Sequence, residues 1–366
     1  MPDRPSVFSM ITGGGTGGHV YPALALAEEL VRRGHPRATI RFVGARRGME
    51  ADVVPAAGYE IDLLPGRGLQ RRLTLGNVAV AWHTLRALVR AWRVVGRWRP
   101  GVVVGVGGYA SLPCVVGARL RGVPMVVHEQ NAAPGLANRV AVRLGARPAI
   151  SLSGTPLPGA VVTGNPIRAE IAAARRAPSP GRALVIVFGG SLGAGRINDA
   201  ALDLVDRWRD RADVAVHHVS GRRDHDRCRS RLDATARPGD ALGYQLVPYE
   251  ARMETLYPRT TLAVCRAGAV TVAELAAAGV PSVLVPLPGA PGDHQTKNAR
   301  ALVDAGAAVL VPDGELDGAR LDATVCPLLA DPARLDAMAA AARGVARPDA
   351  ARHLADLVEE VAGARG

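Results

Sequence analysis

A glycine-rich turn near the N-terminus carries the first residues that could take part in chemistry. In GGGTGGHVYP, Gly13, Gly15 and Gly18 have the spacing of a dinucleotide-binding turn, and they follow the short apolar run SVFSMI. Glycines let the backbone bend tightly, and the helix start that follows offers free N–H groups to an anionic or polar ligand. His19 lies in the first turn of that helix, where the dipole favours a neutral imidazole that could act as a base. An exposed polar residue at a helix start explains His19 equally well.

Polar residues also follow two later apolar runs. His128, Glu129 and Asn131 in HEQN come directly after PMVV, where open α/β sheets place binding groups, although Asn131 could serve only to form a turn. Further on, Thr271 and Glu274 follow the turn RAGA with the spacing of a capping box at a helix that we expect to begin near Thr271. Glu274 could therefore bond back to its helix start, bind two vicinal ribose hydroxyls, or do both.

The elements around these residues predict a doubly wound α/β fold. A second glycine-rich turn, VFGGSLGAGRIN from Gly189, again follows an apolar run and opens a helix. Runs such as GVVVGVG and ALVIVFGG alternate with Ala- and Leu-rich helical runs, as in parallel sheets covered by helices on both faces. The sequence thus predicts two Rossmann-like domains facing a cleft, with ligands outside the carboxyl ends of the strands.

The domain boundary is expected where GNPIR gives way to a short helical piece and then to a connector rich in Pro and Gly. We expect an N-terminal domain over residues 1–166 and a C-terminal domain over residues 167–344. A final helix over residues 345–366 could return to the N-terminal domain.

Composition narrows the classes of ligand and partner. A net charge of +12 favours anionic partners, but the aromatic and basic residues are not interleaved as they are in RRM or cold-shock domains, so we expect no nucleic acid. Four scattered cysteines predict neither a disulfide framework nor a zinc site, and the first residues do not look like a signal peptide. The one D-x-D, Asp224-His225-Asp226, lies among arginines and is interpreted as a solvated helix start. We therefore expect no metal site and no cofactor.

Residues 66–99 contain eight Arg and no acid, and three of the four Trp of the chain. Leu, Val and Trp recur there at helical spacing, while arginines line another face. Such a stripe is usually core, but an Arg-rich amphipathic helix with Trp also suits an anionic membrane surface. The residues that would face the membrane are Trp82, Arg86, Arg90, Trp92 and Arg93.

A nicotinamide enzyme is the alternative that the first turn itself suggests. Such an enzyme needs an acidic residue at the end of the second strand to hold a ribose. Here TIRFVG ends in Ala45-Arg46-Arg47, which would suit only the extra phosphate of NADP.

Taken together, the motifs resemble the MurG family, the peptidoglycan transferases that add N-acetylglucosamine (GlcNAc) to undecaprenyl-pyrophosphoryl-MurNAc-pentapeptide (lipid I). The matching stretches occur in the family's order over residues 12–308. They are GGGTGGHVYPALALA, MEADVVP, GGYASLPCVVGA, HEQNAAPGLANR, GNPIR, FGGSLGAGRIN, CRAGAVTVAELAAAGVPSVLVPLP and DHQTKNA. The resemblance implies a GT-B fold, the donor UDP-GlcNAc held largely by the C-terminal domain, and the acceptor lipid I. It also implies a peripheral protein on the cytoplasmic face of the bacterial plasma membrane, touching the anionic inner-membrane surface.

The resemblance further implies roles for individual residues. Glu274 would hold the ribose, while Ser191 and Arg168 would face the pyrophosphate, so that N–H groups and an arginine replace a metal ion. His19 would be the base or would orient the acceptor, with Glu129 as the alternative base. The residues implied for the donor are Thr16, Gly17, Gly18, Asn131, Arg168, Ser191, Ala269, Val270, Thr271, Val272, Ala273, Glu274 and Gln295, and those for the acceptor are Gly14, Gly108, Tyr109 and His128.

One stretch departs from the family's pattern. The chain reads YEARM at residues 249–253, which puts Glu250 at a usually apolar position near the implied uracil site. Two further functions stay open at this stage: a related transferase acting on another lipid acceptor, and a membrane-associated scaffold without activity.

Overall fold

The computed structural model describes residues 7–65, 77–178, 181–190, 193–235 and 237–364, and for residues 77–84 it describes the backbone alone. Its strands are β1 (Ser9–Thr12), β2 (Ile40–Ala45), β3 (Glu60–Leu64), β4 (Val102–Gly105), β5 (Met125–Glu129), β6 (Arg147–Ile150), β7 (Val161–Val162), β8 (Ala183–Phe188), β9 (Val214–Val219), β10 (Gly243–Val247), β11 (Leu262–Cys265), β12 (Ser282–Leu284) and β13 (Ala308–Leu310).

Its α-helices connect these strands and follow the last of them. They are α1 (Gly17–Arg32), α2 (Glu50–Ala56), α3 (Asn77–Trp98), α4 (Ser111–Leu120), α5 (Leu136–Arg143), α6 (Ala169–Ala173), α7 (Gly195–Arg207), α8 (His225–Thr235), α9 (Met253–Leu256), α10 (Ala269–Ala278), α11 (His294–Val303), α12 (Gly318–Leu329), α13 (Pro332–Val345) and α14 (Ala350–Gly363). Among the described residues, no helix is long and apolar enough to cross a membrane.

The chain divides into two compact units. Unit 1 comprises residues 1–168 and 348–366, and unit 2 comprises residues 169–347. These divisions lie two and three residues from those expected from the sequence, which fell after residues 166 and 344.

Each unit is built on one parallel sheet. The strand order is β3-β2-β1-β4-β5-β6-β7 in unit 1 and β10-β9-β8-β11-β12-β13 in unit 2. In both sheets the chain first winds toward one edge and then starts again from the middle, so β1 and β4, and β8 and β11, flank a topological switch point. The prediction of two Rossmann-like, doubly wound domains is confirmed.

The strands are apolar on both faces because helices cover both. In unit 1, Ile11 and Val104 pack into the core formed with α1 and α14, whereas Met10 and Val103 pack into the core formed with α3 and α4. All four side chains are fully buried. Strand side chains alternate between the two cores, and the glycine-rich turns begin where these buried strands end.

The C-terminal helix α14 belongs to unit 1. Leu354 and Val358 on α14 complete the core under α1. At the surface, the Arg33 guanidinium bridges to Glu359 and Asp356, each at 2.7 Å, and to Glu29 on α1 at 2.9 Å. Apolar burial together with a charged network therefore fastens the last helix to the first.

Candidate active site

The motif turns lie at the two switch points. In unit 1, the first glycine-rich turn (residues 13–18) follows β1, and the turn at residues 106–110 follows β4, with Thr12 and Gly105 paired in register. In unit 2, the second glycine-rich stretch (residues 189–194, of which 191 and 192 lie outside the described residues) follows β8, and RAGA (residues 266–269) follows β11, with Phe188 and Cys265 paired. Each unit thus brings two motif turns side by side where open α/β sheets bind ligands.

His19 lies between the two turns of unit 1. Its Nδ1 is 3.3 Å from the Thr16 hydroxyl oxygen. A Cβ placed on Gly107 would lie 2.9 Å from Cδ2 and 3.0 Å from Nε2 of His19, so the imidazole edge rests on the Gly107 backbone. Gly107 has a φ of +90°, which also favours glycine. The imidazole is therefore held by its neighbours at the carboxyl ends of β1 and β4.

Gly108 and Tyr109 belong to the same pair of turns. A Cβ on Gly108 would overlap the carbonyl oxygen of Gly14, so the two turns are in backbone contact. The Tyr109 hydroxyl donates to the Pro65 carbonyl at 3.5 Å, and burial raises the pKa of Tyr109. The predicted acceptor residues Gly14, Gly108 and Tyr109 thus lie in two adjoining turns, with Gly14 buried and the other two half-buried, while their contact with an acceptor stays a prediction.

Glu129 uses its whole carboxylate to shape the loop after β5. Its Oε1 accepts from the main-chain N–H of Asn131 at 3.0 Å and from the Asn131 side-chain amide at 3.3 Å. Its Oε2 accepts from Gly135 N–H at 2.9 Å and from the Asn138 amide at 2.8 Å. Glu129 is only 3% exposed. This geometry favours a positioning role over the alternative that Glu129 is the base.

His128 lies in the interior of unit 1, not at its surface. It is fully buried, its Nε2 lies 2.9 Å from the Gly164 carbonyl, and its Nδ1 lies 3.2 Å from the Gln130 amide. Burial lowers the pKa of His128 to about 4, so the ring is neutral at neutral pH. These contacts favour a supporting role over the predicted contact with the acceptor.

In unit 2, the side chains of Arg266, the first residue of RAGA, and of Asn298 fix the RAGA turn to neighbouring segments. Arg266 donates to the carbonyls of Val285 and Pro286, each at 3.1 Å, and pairs with Asp313 at 2.5 Å. The buried Asn298 donates to the Ala267 carbonyl at 3.2 Å. The sequence did not predict either contact, because the groups that Arg266 and Asn298 contact lie 19 to 47 positions away along the chain.

The predicted capping box of Thr271 and Glu274 is wrong. Helix α10 begins at Ala269 with Gly268 as N-cap, so Thr271 is already its third residue and Glu274 lies within the helix. Glu274 is 8% exposed, and its Oε2 accepts from the hydroxyl of the fully buried Tyr257 at 3.0 Å. Tyr257 therefore orients this carboxylate in place of the helix start.

The remaining donor residues are distributed over both units. Gln295 on α11 accepts from the Leu287 N–H at 2.9 Å through its Oε1. The Arg168 guanidinium stands 5.6 Å from the centre of the Tyr21 ring, both in unit 1. Residues Ala269, Val270, Thr271, Val272 and Ala273 form the first turns of α10. Ser191 lies outside the described residues, and its role stays a prediction.

A buried network behind the second glycine-rich turn was not predicted. His218 on β9 lies 3.0 Å from the Asn198 side-chain oxygen through Nε2 and 2.7 Å from the Tyr244 hydroxyl through Nδ1. Asn198 on α7 in turn donates to the Ser220 carbonyl at 2.9 Å. Burial, reinforced by two neighbouring histidines, lowers the pKa of His218 to about 4. The only sequence signal was the asparagine of GRIN.

Two acidic positions drew attention in the sequence. The Oε2 of Glu250 lies 3.4 Å from the Nε2 of His217, and its Oε1 accepts from the Arg252 main-chain N–H at 2.8 Å. Asp224 directly precedes α8 and accepts from Arg223 and from the Asn198 amide. Over the described parts of the chain, no group of three or more His, Cys, Asp or Glu residues is placed to hold a metal ion.

The exposed face of α3 carries the predicted membrane residues for which side chains are described. Leu85, Val89 and Trp92 are 51%, 40% and 41% exposed, and Arg86, Arg90, Arg93 and Arg97 are exposed beside them. The opposite face packs into the core through Ala91, Val94 and Val95. The apolar stripe read from the sequence is therefore partly on the surface. The side chain of Trp82 lies outside the described residues.

Comparison with known proteins identifies the class. The model of the glycosyltransferase family 28 N-terminal domain matches residues 9–149, and that of the family 28 C-terminal domain matches residues 184–354. With two doubly wound units and motif turns at both switch points, the chain is a glycosyltransferase of the GT-B fold. A solved kitacinnamycin glycotransferase, 16% identical with a TM-score of 0.71, covers 98% of this chain and 100% of its own, and shares the fold.

Relatives over nearly the full length give the family. A protein of Desulforudis audaxviator (strain MP104C) is 41% identical over 97% of this chain and 98% of its own. One of Salinibacter ruber (strain DSM 13855 / M31) is 43% identical over 94% of each. Both are named UDP-N-acetylglucosamine--N-acetylmuramyl-(pentapeptide) pyrophosphoryl-undecaprenol N-acetylglucosamine transferase. The crystal structure of Acinetobacter baumannii MurG is 30% identical, has a TM-score of 0.78, and covers 97% of this chain and 100% of its own. The chain belongs to the MurG family, and the NADP oxidoreductase is set aside.

Proposed function

We propose that the protein moves GlcNAc from UDP-GlcNAc to the muramoyl hydroxyl of undecaprenyl-pyrophosphoryl-MurNAc-pentapeptide, converting lipid I to lipid II with inversion at the anomeric carbon. The observation that carries the proposal is the identity of 41% and 43% to transferases named for this reaction, over 97% and 94% of the chain. The motif turns at the two switch points support it, because they carry some of the residues implied for the acceptor and the donor, among them Gly14, Gly108 and Ala269.

Unit 2 would hold the donor. The starts of α7 and α10 present main-chain N–H groups to an anion, as helix N-termini do. Neither first turn contains an acidic residue that would repel the anion. Glu274, oriented by Tyr257, would accept from the two ribose hydroxyls. Arg168 would add a positive charge at the pyrophosphate. With N–H groups and a guanidinium to stabilise the departing UDP, the proposed chemistry needs no metal ion.

Unit 1 would activate the acceptor. His19, at the ends of β1 and β4, would take the proton from the muramoyl hydroxyl as its oxygen attacks the anomeric carbon of GlcNAc. The bond from that carbon to the β-phosphate oxygen would break, and its electron pair would leave with UDP. Glu129 is the weaker candidate for this base, because both of its oxygens already accept two hydrogen bonds. We assign it the task of holding Asn131 in place.

The α3 face would dock unit 1 on the cytoplasmic face of the bacterial plasma membrane. Exposed Leu, Val and Trp side chains flanked by arginines combine apolar contact with attraction to anionic lipids. Each arginine near such a surface is worth about 1 kcal/mol, and salt screens the attraction. The Arg121 guanidinium stacks 4.0 Å from the centre of the Trp92 ring, which adds a further charge at the same place. We expect reversible, salt-sensitive binding.

Transfer of labelled GlcNAc from UDP-GlcNAc to a soluble lipid I analogue tests the reaction. We expect turnover that persists in EDTA. Turnover only with another lipid acceptor would replace the proposed substrate, and no turnover with any acceptor would favour the scaffold. Complete loss in EDTA that Mg²⁺ or Mn²⁺ restores would contradict the proposed metal-independent chemistry.

Sedimentation with lipid vesicles tests the docking face. We expect the protein to sediment with anionic vesicles, to remain in solution with neutral ones, and to be released by high salt. Replacing the four α3 arginines with Gln should weaken sedimentation while sparing turnover of a soluble acceptor; these are Arg86, Arg90, Arg93 and Arg97. A matched control replaces four exposed arginines elsewhere, Arg207, Arg237, Arg334 and Arg347. Equal loss in both variants would mean that overall charge, and not this face, binds the vesicles.

A further inference from the structure

A buried carboxylate lies inside the first glycine-rich turn. Glu50 opens α2 and is only 2% exposed. Its Oε2 accepts from the main-chain N–H of Gly15 at 2.8 Å, and its Oε1 accepts from the main-chain N–H of Ala45 at 2.9 Å. One side chain therefore joins the turn after β1 to the end of β2.

The backbone around Glu50 is shaped to admit it. A Cβ placed on Gly14, Gly44 or Gly48 would overlap the Glu50 side chain. Gly14 and Gly15 have φ values of +147° and +93°, so glycine also suits the conformation of the turn. Three glycines, one from the turn after β1, one from the end of β2 and one from the segment that follows β2, thus leave room for one carboxylate.

The position of this carboxylate bears on what the turn can bind. In a dinucleotide-binding turn, main-chain N–H groups before the helix start bind a phosphate. Here the N–H of Gly15 is already bonded to an anion that the chain supplies. A second anion would lose that donor and would be repelled by the like charge.

We infer that Glu50 is a specificity-determining residue: it serves as the built-in anion of the first glycine-rich turn and directs this turn to an uncharged sugar instead of a phosphate. That the uncharged ligand is a sugar rests on the proposed function. The occupation of the Gly15 N–H by Glu50 does not. The dinucleotide-like spacing of Gly13, Gly15 and Gly18 would then build a tight turn that is closed to phosphate.

Backbone amide NMR of the full-length protein, titrated with inorganic pyrophosphate, tests the inference without any variant. We expect the amide signals of residues 14–18 in unit 1 to stay unchanged while those at the start of α7 shift. Shifts at residues 14–18 as large as those at α7 would overturn the inference. Absence of shifts at α7 would instead count against the proposed donor site and leave the result for unit 1 intact.

Glu50→Gln gives the complementary test. Gln has nearly the same shape but no charge, and its amide nitrogen cannot accept, so one main-chain N–H loses its partner. We expect pyrophosphate to shift the Gly15 amide with an apparent affinity at least about tenfold higher than in the parent. Asp52→Asn is the matched control, since Asp52 lies on the same helix, is exposed, and loses the same charge. A response no larger in Glu50→Gln than in Asp52→Asn would refute the role of Glu50, because a merely loosened turn gains no affinity for an anion.

Discussion

Replacing Glu129 with Gln separates the two roles open to this residue. Whichever way the new amide turns, its nitrogen faces two donors that the carboxylate had accepted, either the two of Asn131 or those of Gly135 and Asn138. A hydrogen bond to a charged group contributes about 1.5–3 kcal/mol, so losing two of them lowers the free energy of unfolding by about 3–6 kcal/mol. That is a large part of the stability of an ordinary domain.

Urea unfolding and steady-state kinetics on a soluble acceptor measure the two effects side by side. If Glu129 positions the loop, Glu129→Gln lowers stability strongly, and donor binding weakens as Asn131 moves. The exposed Glu28→Gln is the control for charge. His19→Asn should show the opposite pattern, with kcat reduced about 10²- to 10⁴-fold and stability changed by less than about 1 kcal/mol. Unchanged stability of Glu129→Gln together with a loss of kcat in that range would refute the reasoning and make Glu129 the base.

Three further predictions follow from buried and exposed groups. Tyr257→Phe removes the hydroxyl that orients Glu274, so the KM for UDP-GlcNAc should rise several-fold with little change in kcat; an unchanged KM would argue against the ribose role. His218 has a pKa of about 4 when folded and about 6.5 when unfolded, because burial disfavours its charged form. The free energy of unfolding is therefore highest above pH 6.5 and falls by about 3 kcal/mol as the pH falls to 4. Urea midpoints at pH 7 and pH 5 should therefore differ less in His218→Gln than in the parent, and an equal difference would contradict this. Trp92→Gln should weaken sedimentation with anionic vesicles while the thermal midpoint stays within a few degrees, because the ring is 41% exposed; a cooperative loss of folding would instead make Trp92 a core residue.

The sequence predicts most of the secondary structure and the fold of the two units. Apolar runs of strand length and glycine spacing predict both sheets and both glycine-rich turns, because those signals are local. The capping box failed for the same reason. The T-x-x-E pattern at Thr271 is a local preference, and a backbone N-cap at Gly268 started the helix two residues earlier than expected.

The parts of the site that escaped prediction depend on side-chain contacts that form only when the chain folds. Glu129 could be recognised as a candidate from its place at the end of β5, but three of its donors come from the loop after β5 and one from α5, and the residue types do not reveal how that segment folds back on the carboxylate. The role of Glu50 in the turn carried no local signal, because an acid in MEADVVP is ordinary until the turn after β1 folds over it. Burial likewise encloses His128, Glu129 and Gln130 of HEQN, and a run of polar letters cannot show it.

The placement of α14 has a consequence for how the chain matures. Unit 2 is inserted between two segments of unit 1, so α1, which is made before unit 2, and α14, which is made after it, share one core. During synthesis the apolar face of α1, including Leu26 and Leu30, has to wait for Leu354 and Val358 until the ribosome has translated the whole of unit 2. Unit 2 can complete its own core earlier, while the nascent unit 1 still exposes the apolar face of α1, to which chaperones could bind. The core of unit 1 can therefore be completed only after unit 2 has been synthesised, in contrast to chains whose N-terminal domain is completed first.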